Sequence, residues 1–257
     1  VTFLNDVLEA KRLEVERLRA EPPAIVMGRG GGVFASALRA PGLSVIAEIK
    51  RASPSKGVLA ADLDVAQRVR AYEEAGAHAI SCLTDGTFFG AHASDFAEAR
   101  TASLPVLRKD FLIDELQIDQ SAAMGAAAIL LIVRILEQPR LTALLRHAET
   151  RGLEVLVEAH DEAEVDRALQ AGATILGVNN RDLGTLVVDP TRALRLRPRI
   201  PKGVVSVSES GVRTRDDVKR IEDAGFDAVL IGEALSRSAD PRATLRELTG
   251  ETLLVTR

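Results

Sequence analysis

The chain has 257 residues, 46% of them hydrophobic and 27% charged, with a net charge of −4 at neutral pH. This composition suits a globular protein with a sizeable core, excludes a disordered chain, and leaves no global basic field for nucleic acid. Aromatic residues make up only 3% and Trp is absent, so aliphatic side chains must fill the core. The single cysteine, Cys82, excludes an internal disulfide and fits a reducing cytosol. The longest apolar run, from Met124 to Val133, is too short to span a bilayer. The charged, amphipathic start is unlike a secretory signal. A cytoplasmic protein without nucleic-acid or membrane partners is expected, and a monomer is the default.

Residues 2–20 place Phe3, Leu4, Val7, Leu8, Leu13 and Leu18 on one helical stripe, predicting a helix that Pro22 and Pro23 end. The glycine-rich stretch at 27–32 reads as a flexible link, and residues 33–39 as a short second helix. From residue 44 the rhythm changes to short apolar runs alternating with charged, Ala- and Leu-rich stretches. Strands are predicted at 44–50, 78–83, 105–108, 127–132, 153–158, 174–179, 203–207 and 228–231. Helices are predicted between them, among others at 65–75, 115–124, 139–151, 162–171 and 215–224. Gly76, Gly125, Gly152, Gly172 and Gly225 sit at helix-to-strand turns, where a left-handed C-terminal residue is needed. Eight strand–helix units imply parallel pairing and a single (β/α)8 TIM barrel of class α/β. The domain is expected to cover 1–257, with a helical N-terminal extension at 1–43 and the barrel at 44–250. An open doubly wound sheet is the alternative, but no strand opens a GxGxxG turn.

Side chains alternate along a strand, so residues two apart share a face. Ile46, Glu48 and Lys50 therefore point one way, as do Leu107 and Lys109, and Leu156 and Glu158. The same holds for Ile175, Gly177, Asn179 and Arg181, and for Val205, Val207 and Glu209. If the apolar members face the barrel interior, charges from five strands meet at the C-terminal mouth, where barrel enzymes keep their sites. Three of the six lysines, Lys50, Lys56 and Lys109, fall in the segments that carry these charges. After strand seven comes Ser208-Glu209-Ser210-Gly211, and after strand eight Ile231-Gly232-Glu233-Ala234. Barrels commonly hold a phosphate with backbone N–H groups from those two loops. Glu233 is expected to present its backbone, not its carboxylate, to that anion. The loop Ser53-Pro54-Ser55-Lys56-Gly57 lacks the glycine spacing of a nucleotide P-loop.

The four histidines show no ligand spacing, and no CxxC, HExxH or EF-hand pattern occurs, so neither a metal nor a cofactor is expected. Cys82 has no evident catalytic partner and reads as a buried structural thiol.

The segments VIAEIKRASPSKG (45–57), VLRKDFLID (106–114), VLVEAH (155–160), GVNNRDL (177–183), VSESG (207–211) and LIGEAL (230–235) resemble the indole-3-glycerol-phosphate synthase family. They lie in order across the whole barrel, and the helical extension matches too. Two stretches depart from that pattern: Phe88-Phe89-Gly90 runs into Ala91-His92, and the N-terminal linker is unusually glycine-rich. The resemblance implies ring closure, decarboxylation and dehydration of 1-(2-carboxyphenylamino)-1-deoxyribulose 5-phosphate. It assigns Lys109 as the acid at the ribulose carbonyl and Glu158 as the carboxylate that stabilises cationic nitrogen and then acts as base. Lys50 is implied as a phosphate or carboxylate partner and a possible acid in dehydration, with Glu48 orienting Lys50 and Lys109. Asn179 joins the catalytic group. Ser53, Lys56, Phe89, Phe111, Arg181, Glu209 and Ser210 are implied to bind substrate, and Lys50, Gly211, Gly232 and Glu233 its phosphate. Two rival readings remain open. A phosphoribosylanthranilate isomerase-like barrel would want a base ending strand one, and Cys82 ends strand two. A non-catalytic phosphate-ligand sensor would not need paired lysines and glutamates at one mouth.

Overall fold

The computed structural model describes residues 3–250. Eight parallel strands close into a barrel: β1 (Ser44–Ile49), β2 (Ala79–Leu83), β3 (Val106–Lys109), β4 (Ala128–Ile132), β5 (Glu154–Ala159), β6 (Ile175–Asn179), β7 (Val205–Glu209) and β8 (Ala228–Ile231). Each strand is followed by a helix, and the chain order of the strands is their order around the ring, with β8 pairing back onto β1. The expected TIM barrel is therefore observed. The ends of the expected domain fall partly on residues 1–2 and 251–257, outside the described residues.

Strand alternation sorts the apolar residues into two layers. Val45, Ala47 and Ile49 of β1 and Ile129 and Leu131 of β4 face the helices, while Ile46, Ala128, Leu130 and Ile132 face the barrel interior. The interior layer also takes Leu107, Leu156, Ile175, Val205 and Val207. Cys82 is buried in the layer between strands and helices, where desolvation pushes its thiol well above the usual range, as suits a structural thiol.

The N-terminal extension packs at both ends of the barrel. α1 (Phe3–Ala20) lies beside the C-terminal mouth, with Val7 buried and Phe3 against Phe88 and Phe111. α2 (Val33–Leu38) plugs the opposite end with Phe34 and Leu38, each burial worth roughly 1.5–3 kcal/mol. Glu154, at the foot of β5, accepts the Phe34 and Ala35 N–H groups at 2.7 and 2.8 Å and so fixes the start of that plug. The stretch between these helices is not a flexible link. Gly28 donates to Arg151 O at 2.6 Å and Gly30 to Gly152 O at 2.9 Å. A Cβ at Gly30 would collide with backbone atoms of Gly152, Ala127 and Glu154, so glycine there permits close docking.

Most strands begin or end within a residue of expectation. β7 is the exception, starting two residues later and ending two residues later than the apolar run suggests. Its ladder with β6 runs from Ile175–Val205 to Asn179–Glu209, so Ser208 and Glu209 are held in the strand although they are polar. The Ser53–Gly57 loop is also more ordered than a plain turn, being the tip of a small antiparallel hairpin that pairs Ala52–Ser53 with Gly57–Val58.

Candidate active site

At the C-terminal mouth the interior layer stops being apolar. Lys109 ends β3, Glu158 lies near the end of β5 and Glu209 ends β7, and their side chains converge. Lys109 Nζ lies 3.3 Å from Glu209 Oε2 and 3.5 Å from Glu158 Oε2. Burial alone would push the ammonium down, but Glu209, Glu158 and Glu48 outweigh it and hold Lys109 above the usual lysine range. Burial pushes Glu209 up to about 8, an effect that Lys109 opposes and the neighbouring Glu158 reinforces. Burial would push Glu158 up as well, but Lys109 first, and His160 behind it, bring that carboxyl down to about 2. The carboxylate oxygens of Glu158 and Glu209 are buried yet receive no aligned hydrogen bond. Such acceptors are costly unless a ligand donates to them.

A second ion pair stands at the end of β1, where Lys50 Nζ is 2.6 Å from Glu48 Oε1. Glu48 thus pairs with Lys50 directly, whereas Lys109 finds its partners in Glu158 and Glu209. Two glycines make room for these groups. A Cβ at Gly177 would collide with Glu209 Oε1, and one at Gly232 with Glu48 Oε1 while lying 3.0 Å from Lys50 Nζ. The Lys50 ammonium therefore leans against Gly232, at the start of the loop after β8. In the loop after β7, Ser210 and Gly211 take consecutive left-handed conformations (φ 64° and 92°). For Ser210 this is strained, and Asn180 Nδ2 supports it by donating to Ser210 O at 3.0 Å. Gly211 and Gly232 bring bare backbone to one cavity from the ends of neighbouring strands. The Glu233 carboxylate lies 3.6 Å from Arg181 and 3.7 Å from Arg237, which line the same cavity.

The cavity these groups line has a volume of about 370 Å³, ample for a small phosphorylated molecule. Its other wall is apolar, made by Phe3, Phe89, Phe111, Leu83, Leu130 and Ile132. Phe89 and Phe111 rings lie 6.2 Å apart and tilted, in contact with each other, and together present an apolar face to the cavity. One end of the cavity is thus cationic and backbone-lined, its floor carries paired lysine and glutamate, and its side is aromatic.

The indole-3-glycerol phosphate synthase family model matches residues 4–248. The chain belongs to this family. It is 53% identical to indole-3-glycerol phosphate synthase 2 of Streptomyces coelicolor over 84% of each chain. It is 49% identical to the synthase of Chlorobium phaeovibrioides, covering 94% of this chain and 97% of the relative. With that of Mycolicibacterium smegmatis the identity is 45%, over 96% and 93%. Among solved structures, 3-hexulose-6-phosphate synthase from Salmonella typhimurium superposes with a TM-score of 0.62 at 16% identity, covering 80% of this chain and 96% of that one. A mutant tryptophan synthase alpha-subunit from Pyrococcus furiosus gives 0.61 at 18%, covering 80% and 98%. These two show the fold alone.

For a synthase-family chain, the site residues expected from sequence gather closely. Glu48, Lys50, Ser53, Phe89, Lys109, Phe111, Glu158, Asn179, Arg181, Glu209, Ser210, Gly211, Gly232 and Glu233 all line the one cavity. Lys56 does not: it is exposed near the tip of the hairpin after β1, outside the lining. Asn179 Oδ1 accepts the Arg181 N–H at 3.0 Å, and Arg181 donates to Ser55 Oγ at 3.1 Å and Leu186 O at 2.9 Å. Arg181 thereby ties the hairpin after β1 to the loop after β6. Sequence reasoning missed Phe3, Leu183, Leu186, Arg213 and Arg237 in the lining, and dismissed His160. The Glu158–His160 spacing of two and the His160–Glu164 spacing of four could have flagged the last. Among the described residues no cluster of His, Cys, Asp and Glu could hold a metal ion, and no helix is long and apolar enough to cross a membrane.

Proposed function

We propose that this chain converts 1-(2-carboxyphenylamino)-1-deoxyribulose 5-phosphate to indole-3-glycerol phosphate in tryptophan biosynthesis, with Lys109 and Glu158 as its acid and base. Family membership supports the reaction. The observation that carries the residue assignment is the Lys109 ammonium held between Glu158 and Glu209 on the cavity floor. The aromatic carbon bearing the carboxylate attacks the ribulose carbonyl, and the oxygen takes a proton as the new C–C bond forms. Lys109, kept protonated by its carboxylates, donates it. Glu158, kept ionised, stands where positive charge develops on nitrogen. The carboxylate then leaves as carbon dioxide, and its bonding pair restores the benzene ring. Dehydration expels the new hydroxyl as water with a proton from Lys50 or Lys109, while Glu158 takes the proton from C1.

Their place in the cavity lining supports the remaining assignments. The phosphate sits against Gly211, Gly232 and the backbone of Glu233, beside Lys50. The aromatic ring packs against the face made by Phe89 and Phe111. Asn179, Arg181, Ser53, Glu209 and Ser210 position the hydroxyls and the carboxylated ring, and Glu48 orients Lys50. Lys56 reaches the substrate only through movement of its hairpin. The protein acts as a cytoplasmic monomer and needs no metal or cofactor.

The test is direct. Purified protein mixed with the carboxyphenylamino-deoxyribulose phosphate should show rising indole fluorescence and release one carbon dioxide per indole, without added metal. Substrate that binds but is not turned over would replace this proposal with the sensor reading.

A further inference from the structure

On the side of Glu158 turned away from the cavity lies a run of charges that the proposed chemistry does not use. His160, just past β5, is fully buried and does not line the cavity. Its backbone N–H and its Nδ1 both meet Glu164 Oε2, at 2.8 and 2.9 Å, and its Nε2 lies 3.2 Å from Glu158 Oε1. Glu164, on the helix after β5, is anchored by Arg134 at 2.7 Å. Arg134, after β4, also pairs with Asp182 at 2.8 Å and with the exposed Asp161 at 3.4 Å.

The protons on the ring follow from its partners. An ionised carboxylate only accepts, so Nδ1 facing Glu164 carries a hydrogen. A bare Nε2 would set its lone pair against Glu158 Oε1, whereas a proton there turns repulsion into an ion pair. The two flanking carboxylates favour the imidazolium, as an ion pair with Glu158 at 3.2 Å and not as an aligned hydrogen bond. Burial opposes that charge, yet Glu158 and Glu164 outweigh it and carry His160 up to about 9.

The cavity side poses a complementary problem. Lys109 is one cation shared by two carboxylates at nearly equal distance, and it is the one cation paired with Glu209 among the described residues. Two buried carboxylates around one ammonium retain a proton near neutrality, and Lys109 alone does not decide which of them holds it. Glu158 has a second cation behind it and Glu209 has none.

We propose that His160 is a positioning residue that settles this choice, keeping Glu158 as the ionised base and leaving the shared proton on Glu209. The inference rests on Glu158 being the base of the proposed reaction. Glu158 then has a cation near each oxygen, His160 at 3.2 Å from Oε1 and Lys109 at 3.5 Å from Oε2. Glu209 is a neutral acid that donates to the substrate. Glu164, with Arg134 and Asp182 behind it, keeps the imidazolium charged.

The experiment compares kcat and KM of the intact protein and His160→Asn between pH 6 and 9.5. Asn retains a donor toward Glu164 and removes the cation facing Glu158. With that charge gone, the shared proton divides between two carboxylates nearly equidistant from Lys109, so about half of the molecules carry it on Glu158 and kcat at pH 6.5 should fall about twofold or more. KM should stay unchanged, because His160 does not touch the cavity. The deficit should shrink as pH rises toward 9, where the pair gives up its proton and Glu158 is ionised without help. A deficit of equal size at every pH would overturn the proposal, since a purely structural role predicts that. Histidine ring nitrogen shifts of the unmodified protein, labelled with 15N-histidine, give a reading independent of variant folding. His160 should be doubly protonated at pH 7, and a neutral ring there would equally overturn it. Absence of turnover in the unmodified protein would sink the catalytic assignment instead, and the ring shifts would still decide where the charge lies.

Discussion

Replacing Lys11 with Met should be among the most destabilising single changes on α1, although Lys11 lies outside the catalytic cavity. Its Nζ is 2.7 Å from Asp110, 2.8 Å from Asp85 and 2.8 Å from Glu14, and its side chain is 3% exposed. Burial would lower its pKa, but these carboxylates outweigh burial and keep it charged. Without Lys11, Asp110 retains Arg108 at 3.1 Å, but among the described residues Asp85 keeps only the Phe88 N–H at 2.6 Å. Removing one partner of a buried ion pair costs about 3–5 kcal/mol. The surviving Arg108 contact places this case at the lower end, about 3 kcal/mol. Urea unfolding of Lys11→Met would measure the loss. Lys11→Met with Asp85→Asn should regain roughly 1–2 kcal/mol, since the orphaned charge is then gone. Because α1 also carries Phe3 to the cavity wall, KM should rise in the single variant. A loss below about 1 kcal/mol together with an unchanged KM would refute the idea that this buried lysine pins α1 to the mouth.

Three further outcomes are expected. Lys109→Ala should lower kcat by about 10²–10⁴-fold in the indole-fluorescence assay, and near-normal turnover would remove it from the acid role. Gly177→Ala puts a Cβ against Glu209 Oε1 and forces that carboxylate off Lys109. A displacement of that size should cost about 10²-fold in kcat/KM with little change in melting temperature, and unaffected kinetics would show that Glu209 moves freely. Thermal stability should also fall as pH rises from about 5 to 9. His160 goes from 6.5 unfolded to about 9 folded and Glu209 from 4.5 to about 8, so both bind their proton more tightly in the folded state. Each contributes stability that is complete below its unfolded pKa and is lost as pH passes its folded one. Glu158 and Asp110, each held at about 2, act oppositely: their contribution is present above about 4 and is lost toward pH 2. Calorimetry should therefore place the highest melting temperature near pH 5, and a flat or rising profile from 6 to 9 would contradict these shifts.

The barrel was legible because its signals are local. A strand that buries both faces reads as an apolar run, a following helix as a 3.6-residue stripe, and the turn between them as a glycine, so each unit could be bounded alone. Where local polarity and the long-range ladder disagreed, the ladder won, and β7 shows it. Ser208 and Glu209 look like loop residues, yet pairing with Val178 and Asn179 keeps them in the strand. The glycine-rich segment before α2 misleads for a related reason. Glycine permits flexibility, but it also permits backbone to approach backbone, and at Gly30 the second property is the one used. Nothing nearby in the chain distinguishes the two, because the atoms that decide belong to residues more than ninety positions away.

The site divides along the same line. Period-two alternation was enough to send Glu48, Lys109, Glu158 and Glu209 to one mouth, since a strand carries its inward face up to its last residue. Alternation says nothing about which charges then meet. Glu48 was expected to serve both lysines, but barrel curvature places Lys109 between β5 and β7 and leaves Glu48 with Lys50. Gly177 is opposite Glu158 in the ladder with β5, yet the group that fills its missing side chain is Glu209 on the other neighbouring strand. His160 is the clearest case. As a lone histidine after a strand it resembles any buried ring, and it acquires meaning only when Glu164 closes on one nitrogen and Glu158 on the other. A carboxylate becomes a base or an acid through what stands behind it, and in a barrel what stands behind one strand comes from the helix and loops outside it.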